Sequence, residues 1–193
     1  MGQVDSEQVV MLRQMLSPTG WLERAQEFGR ALRTPRDPGG LLLVGTPDQE
    51  PWHLAAHLGD EGRFNDLPQL TPTLIRWAPP QDAPPHLRVG LDRLAAAGRG
   101  ETLFVVAEED APAPLLERVD DARRTGARIL TLDGGDRELR GLAHESLLLP
   151  PLISFDGAQH LVSAAAGGSV ERRRGLRDRI ARLLDAVSGP LVD

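Results

Sequence analysis

The sequence predicts a three-layer α/β/α sandwich built on a five-stranded parallel sheet. Three observations carry that expectation. Short apolar runs recur along the chain, a segment of helical length separates each from the next, and the first run, LLLVG (41–45), lacks the apolar/polar alternation of a half-exposed strand. Strands that alternate with helices pair in parallel through right-handed crossovers, which put helices on both faces of the sheet.

The elements follow in order. Residues 6–33 place Val9, Leu12, Leu16, Trp21, Ala25, Phe28 and Leu32 at near-helical spacing, and Pro18-Thr19-Gly20 divides the segment into two helices or kinks one. A Pro/Gly turn from Pro35 to Gly40 ends it, and LLLVG (41–45) is a wholly apolar strand suited to the middle of a parallel sheet. A helix over 50–60 leads to strand TLIRWA (73–78), and a helix over 85–97 leads to strand TLFVVA (102–107). A helix over 112–125 precedes strand ARILTL (127–132), and a short helix over 136–143, capped by Asp136, precedes SLLLP (146–150). Helices over about 156–187, broken at Gly167-Gly168, close the chain. No repeat or second core is evident. The expectation is one domain over 1–193: an N-terminal helical segment (1–38), an α/β core (39–150) and C-terminal helices (151–193).

Composition excludes several kinds of chemistry. The chain has no cysteine, so disulfides, thiolate metal sites and a Cys nucleophile are ruled out. All 22 basic residues are arginine, which removes Schiff-base and lysine-base mechanisms and points to a GC-rich bacterial genome. A net charge of −6 argues against a nucleic-acid partner, because phosphate neutralisation needs a basic surface. The one dense basic cluster, Arg172-Arg173-Arg174 with Arg177, Arg179 and Arg182, spreads around several faces of a helix and reads as solvated. No run of about 18 apolar residues would cross a membrane. Nor does a charged segment followed by an apolar one open the chain, so the expected location is cytoplasmic, with no membrane partner.

In sheets of this kind ligands bind beyond the carboxyl ends of the strands. Two loops are expected there, Gly45 to Pro51 and Ala107 to Ala111. The second reads Ala107-Glu108-Glu109-Asp110-Ala111, with three acids at the junction where such folds commonly bind anions.

Three stretches together resemble the SIS (sugar isomerase) domain, and within it the phosphoheptose isomerase branch. They are LLLVGTPDQEPWHLAAHL, GETLFVVAEEDAPAPLLERVDDARRTGARILTLDG, and the C-terminal stretch beginning FDGAQHLVSAA. The likeness runs over almost the whole chain and implies a SIS-like sheet with flavodoxin-type winding. It also implies that Gly45, Thr46 and Asp48 of the first loop, and Glu108, Glu109 and Asp110 of the second, stand where the family holds a sugar phosphate. Those family loops supply backbone N–H groups and hydroxyls. Here Pro47 and Pro51 remove two donors, and the acids replace hydroxyls with acceptors. Two unit charges about 4 Å apart repel by about 4 kcal/mol at an effective dielectric of 20. Each lost donor to a charged acceptor costs roughly 1–3 kcal/mol more. The loops are therefore expected to refuse a phosphosugar.

By the same resemblance the catalytic glutamate of the family falls on His57, and its catalytic histidine on His160. A histidine can serve as a base near neutral pH. His53 and His57 stand at i and i+4 on one helix face, a spacing that suits a metal, and part of the family binds zinc there. Gln159 or His160 would complete that set. No cofactor is certain on this reading; zinc is the candidate. The resemblance implies a divergent SIS-domain protein that binds a sugar-derived small molecule or acts as a regulator. The alternative is an isomerase or metal-dependent enzyme on a non-phosphorylated or amino sugar. A homo-oligomer, dimer or tetramer, is expected, because residues 6–33 carry more apolar side chains (Val9, Val10, Met11, Leu12, Met15 and Leu16) than one face needs.

Overall fold

Leu16, residues 19–151 and residues 153–168 are described by the computed structural model. The expected helix over 6–15, the helix beyond 168 and the arginine cluster at 172–182 lie outside the described residues.

Helix α1 (Trp21–Ala31) is followed by strand β1 (Leu41–Val44), helix α2 (Trp52–Phe64) and strand β2 (Thr73–Ile75). Strand β3 (Thr102–Ala107), helix α3 (Ala113–Thr125), strand β4 (Arg128–Asp133), helix α4 (Arg137–Leu142), strand β5 (Glu145–Leu148) and helix α5 (Phe155–Gly167) complete the order. All pairings are parallel, and the sheet runs β2-β1-β3-β4-β5. This is the flavodoxin-type order, with its topological switch between β1 and β3.

The absence of alternation in the strands has a direct cause. Leu41 and Leu43 of β1, Phe104 and Val106 of β3, and Leu130 and Leu132 of β4 pack with α1, α2 and α5. Their neighbours Leu42, Val44, Leu103, Val105 and Ile129 pack on the other side, with Leu115, Val119 and Ala122 of α3 and Leu139 of α4. Successive side chains point to opposite faces, and both faces are covered. The three-layer expectation is met.

Local signals explain the helix boundaries. Gly20 takes the left-handed conformation (φ 65°), and the Thr19 hydroxyl accepts from the Trp21 N–H, so Thr19 and Gly20 start α1. Gly126 (φ 101°) ends α3 in the same conformation. Asp136 caps α4 as expected, accepting from the N–H groups of Glu138 and Leu139.

One element differs. The helix expected over 85–97 is two short 3₁₀ turns, Pro85–Leu87 and Leu91–Ala96. Between them the chain is extended at Gly90, where the Arg76 N–H donates to the Val89 carbonyl at 2.8 Å and Arg76 bridges to Gly90 in parallel. The same bridge replaces the last residues of the expected strand 73–78. A tertiary hydrogen bond to the sheet edge, with Pro84 and Pro85 at the start, overrides the apolar periodicity.

Candidate functional site

The carboxyl end of β1 runs into a tight loop. Thr46 and Gln49 form an antiparallel bridge, with the Gln49 N–H donating to the Thr46 carbonyl at 3.2 Å. A Cβ on Gly45 would lie 2.1 Å from the Gln49 carbonyl oxygen and 2.7 Å from Pro51 Cδ, so only glycine lets the loop double back so sharply. The Gly45 carbonyl is occupied, accepting from the Trp77 indole at 2.9 Å.

This folding brings Glu50 to the end of β2. Its Oε2 accepts from Arg76 Nε at 3.0 Å and from the Trp52 indole at 3.1 Å, and its Oε1 accepts from the Trp77 backbone N–H at 3.0 Å. The Arg76 guanidinium also lies 4.4 Å from the centre of the Trp52 ring, over its face. The Glu50 and Arg76 side chains are only 15% and 17% exposed, so this pair is shielded from much of the screening that weakens surface pairs. None of these four residues was singled out by sequence for the site. The available signal was position: Arg76 and Trp77 end a strand on the side where ligands bind.

The second loop is built differently from an anion cradle. Glu108, Glu109 and Asp110 are all exposed. Glu108 Oε2 accepts from Gln49 Nε2 at 2.8 Å, a hydrogen bond that bridges the two loops across the β1/β3 switch point. The start of α3 offers little to an anion. Pro112 and Pro114 lack N–H groups, and the Ala111 N–H donates to Asp136 Oδ2 at 2.8 Å. Asp136 thus serves two elements at once, capping α4 and holding the acidic loop.

An accessible concavity among the described residues lies beside these loops. It is a cleft of about 370 Å³ lined by Gln49, Glu50, Pro51, Trp52, His53, Phe155, Asp156 and Gln159. That is within the range of small-molecule sites. It sits between the N-terminal turns of α2 and α5, where Ser154 caps α5 by accepting from the Gly157 N–H. Of the residues expected in a site, Gln49's neighbours Gly45, Thr46 and Asp48 shape the first loop. His53 and Gln159 reach the cleft, whereas Glu108, Glu109 and Asp110 do not line it.

His57 and His160 do meet. Their rings pack edge to face with centroids 4.3 Å apart, at the contact of α2 with α5. The Nδ1 atom of His160 is buried and makes no hydrogen bond among the described residues. His53, one turn before His57, is exposed, and Gln159 Nε2 lies 3.5 Å from Asp156 Oδ1. Among the described residues no three His, Cys, Asp or Glu side chains converge in a way that could hold a metal ion.

Burial first, and then the neighbouring His57, hold the His160 imidazole below its ordinary value near 6.5; Asp156 opposes this and His53 adds to it. The unfolded chain therefore takes up this proton at a pH where the folded chain does not. Stability should be full above about pH 6.5, fall as pH drops from there toward the lower folded value, and level off below it. His160→Asn is expected to flatten that slope in urea titrations between about pH 7.5 and 5.5. An unchanged slope would assign the proton to another group.

No protein-family profile matches the chain, and no curated protein matches it. Solved structures do. One is a candidate phosphosugar isomerase from Silicibacter pomeroyi DSS-3, at 15% identity and a TM-score of 0.57, covering 95% of this chain and 55% of that one. Another is a candidate sugar-binding protein from Salmonella typhimurium LT2, at 16% identity and a TM-score of 0.55, covering 88% of this chain and 54% of that one. The Vibrio vulnificus NanR protein complexed with ManNAc-6P matches at 14% identity and a TM-score of 0.49, over 98% of this chain and 69% of that one. The chain spans about half the length of the first two. At these identities the likeness shows the fold alone: a three-layer α/β/α architecture on a five-stranded parallel sheet. Among the described residues no helix is long and apolar enough to cross a membrane.

Proposed function

We propose that this chain is a divergent relative of phosphoheptose isomerases that binds an uncharged or cationic sugar derivative in the cleft between α2 and α5, without the family's isomerase chemistry. One observation carries the reading: both places where such a fold holds phosphate are stripped of donors. At the first loop Pro47 and Pro51 lack N–H groups, the Gln49 N–H donates to Thr46, and the Arg76, Trp52 and Trp77 donors are taken by Glu50. At the second, two prolines and the Ala111–Asp136 bond leave the start of α3 poor in N–H groups, beside three acids. The cleft itself combines an indole face (Trp52, 39% exposed), an amide (Gln159) and a carboxylate (Asp156), groups that recognise hydroxyls and ammonium better than phosphate.

Calorimetry with free sugars, amino sugars and sugar phosphates tests this. Sedoheptulose 7-phosphate and other simple phosphosugars are expected to show no binding below about 1 mM, while a free or amino sugar binds at least tenfold more tightly. Micromolar affinity for any simple sugar phosphate would overturn the proposal.

The meeting of His57 and His160 favours a second reading, an isomerase on a non-phosphorylated sugar. A largely neutral His160 near pH 7 is in the correct state to accept a proton. Turnover of a free aldose or ketose that disappears in His160→Asn would support it. Turnover that survives the substitution would not.

The functional unit we infer is a homo-oligomer, from the surplus of apolar residues (Val9 to Leu16) in the segment 6–33. Light scattering at micromolar concentration should give a mass above the 21.0 kDa of one chain. A clean single-chain mass would rule the assembly out.

A further inference from the structure

We propose that Glu50 sets the charge preference of the cleft: its carboxylate is a tethered anion seated in a carboxylate-binding site made by Arg76, Trp77 and Trp52. The inference rests on the same cleft as the proposed function and names the residue that decides what the cleft refuses.

Three donors converge on this one group. Arg76 Nε and the Trp52 indole N–H meet Oε2 at 3.0 and 3.1 Å, and the Trp77 backbone N–H meets Oε1 at 3.0 Å. Both carboxylate oxygens are thus engaged, and the guanidinium is stacked on the Trp52 ring beneath them. A charged, an aromatic and a backbone donor aimed at two oxygens is the usual chemistry of carboxylate recognition. Glu50 and Trp52 also line the cleft, so the occupied donors lie at its wall rather than in a separate place.

The tether makes Glu50 hard to displace. A group fixed a few atoms from its partner acts at an effective concentration of the order of millimolar or above. A free anion must displace that group as well as bind Arg76. Among the described residues that line the cleft, no arginine stands beside Asp156 and His53, and Arg76 at its wall is already paired with Glu50. An uncharged or cationic ligand suffers no such penalty.

Removing the carboxylate should reverse the preference. Glu50→Ala deletes a methylene and a carboxylate, leaving a space that acetate fills, bordered by an unpaired guanidinium and two N–H groups. The experiment is thermal unfolding of wild type, Glu50→Ala and Glu50→Ala/Arg76→Met in sodium acetate, with ionic strength held constant by chloride. Acetate at about 100 mM is expected to raise the midpoint of Glu50→Ala by roughly 5 °C, saturably, and to leave wild type and the double variant unchanged. Tryptophan fluorescence should follow the same titration in Glu50→Ala, because Trp52 and Trp77 border the space. Equal responses in wild type and Glu50→Ala, or a response that survives Arg76→Met, would overturn the proposal. Should Glu50→Ala fail to fold in chloride, refolding in acetate is the deciding measurement: recovery supports the site, and failure in both salts overturns it. The acetate response needs no sugar ligand, so it stands or falls apart from sugar binding by the wild-type chain.

Discussion

Phe104→Ala should lower the unfolding free energy by about 3–5 kcal/mol, the largest loss expected from any single side chain in the sheet. Phe104 lies in the middle of β3, fully buried, paired with Leu43 of β1 on one side and Leu130 of β4 on the other. Its ring meets Phe28 of α1 edge on, with centroids 5.4 Å apart and planes at 62°. Truncation removes the burial of a large ring and the aromatic contact, and leaves a cavity that three strands and a helix cannot close together. For a chain of this size each kcal/mol corresponds to about 2–4 °C, so the midpoint should fall by roughly 10 °C. Urea unfolding with an unchanged m-value would locate the effect in the folded state. A loss below about 1 kcal/mol would mean that β3 does not hold the core as described.

The second large effect is at the acidic loop. Gly134→Ala would place a Cβ 2.0 Å from the Glu108 carbonyl oxygen and 3.1 Å from its carbon. Both atoms are backbone, so no side chain can turn away, and the chain after β3 must move. The Gly134 N–H donates to the Ala107 carbonyl at 3.0 Å, and this bond is strained by the same movement. Overpacking of this kind costs about 1–3 kcal/mol and more when backbone is displaced. The shift should also break the Gln49–Glu108 hydrogen bond that joins the two loops. Gly141→Ala provides the control: nothing lies within 4 Å of its Cβ, and it sits within α4. That substitution should be neutral or stabilise by up to about 1 kcal/mol. Equal effects at the two glycines would show that the close approach at Gly134 is relieved without cost.

The sequence by itself determined the layers. Unbroken apolar runs such as Leu41 to Val44 can be strands only if both faces are covered, and helical segments between them supply the cover. The end signals at Gly20, Gly126 and Asp136 were equally local, each a residue whose backbone preference or side-chain oxygen acts within a few positions. The approach of His57 to His160 was implied by resemblance, through two helices more than a hundred residues apart in the chain.

Tertiary structure alone decided the rest. The segment 85–97 has the periodicity of a helix, yet its middle is drawn out beside β2 by the bond from Arg76 to Val89, a partner that no local window contains. The same holds for the site. Glu50 looks like one acid among several in a loop, and becomes its centre only because β2 delivers Arg76 and Trp77 to it, 26 and 27 residues further on. Glu108, Glu109 and Asp110, conspicuous as a run, remain exposed, and two nearby prolines do as much to strip the helix start of donors. Residue type and spacing report what a chain segment prefers; which groups share a cleft depends on strand order, and strand order is set by how the whole core closes.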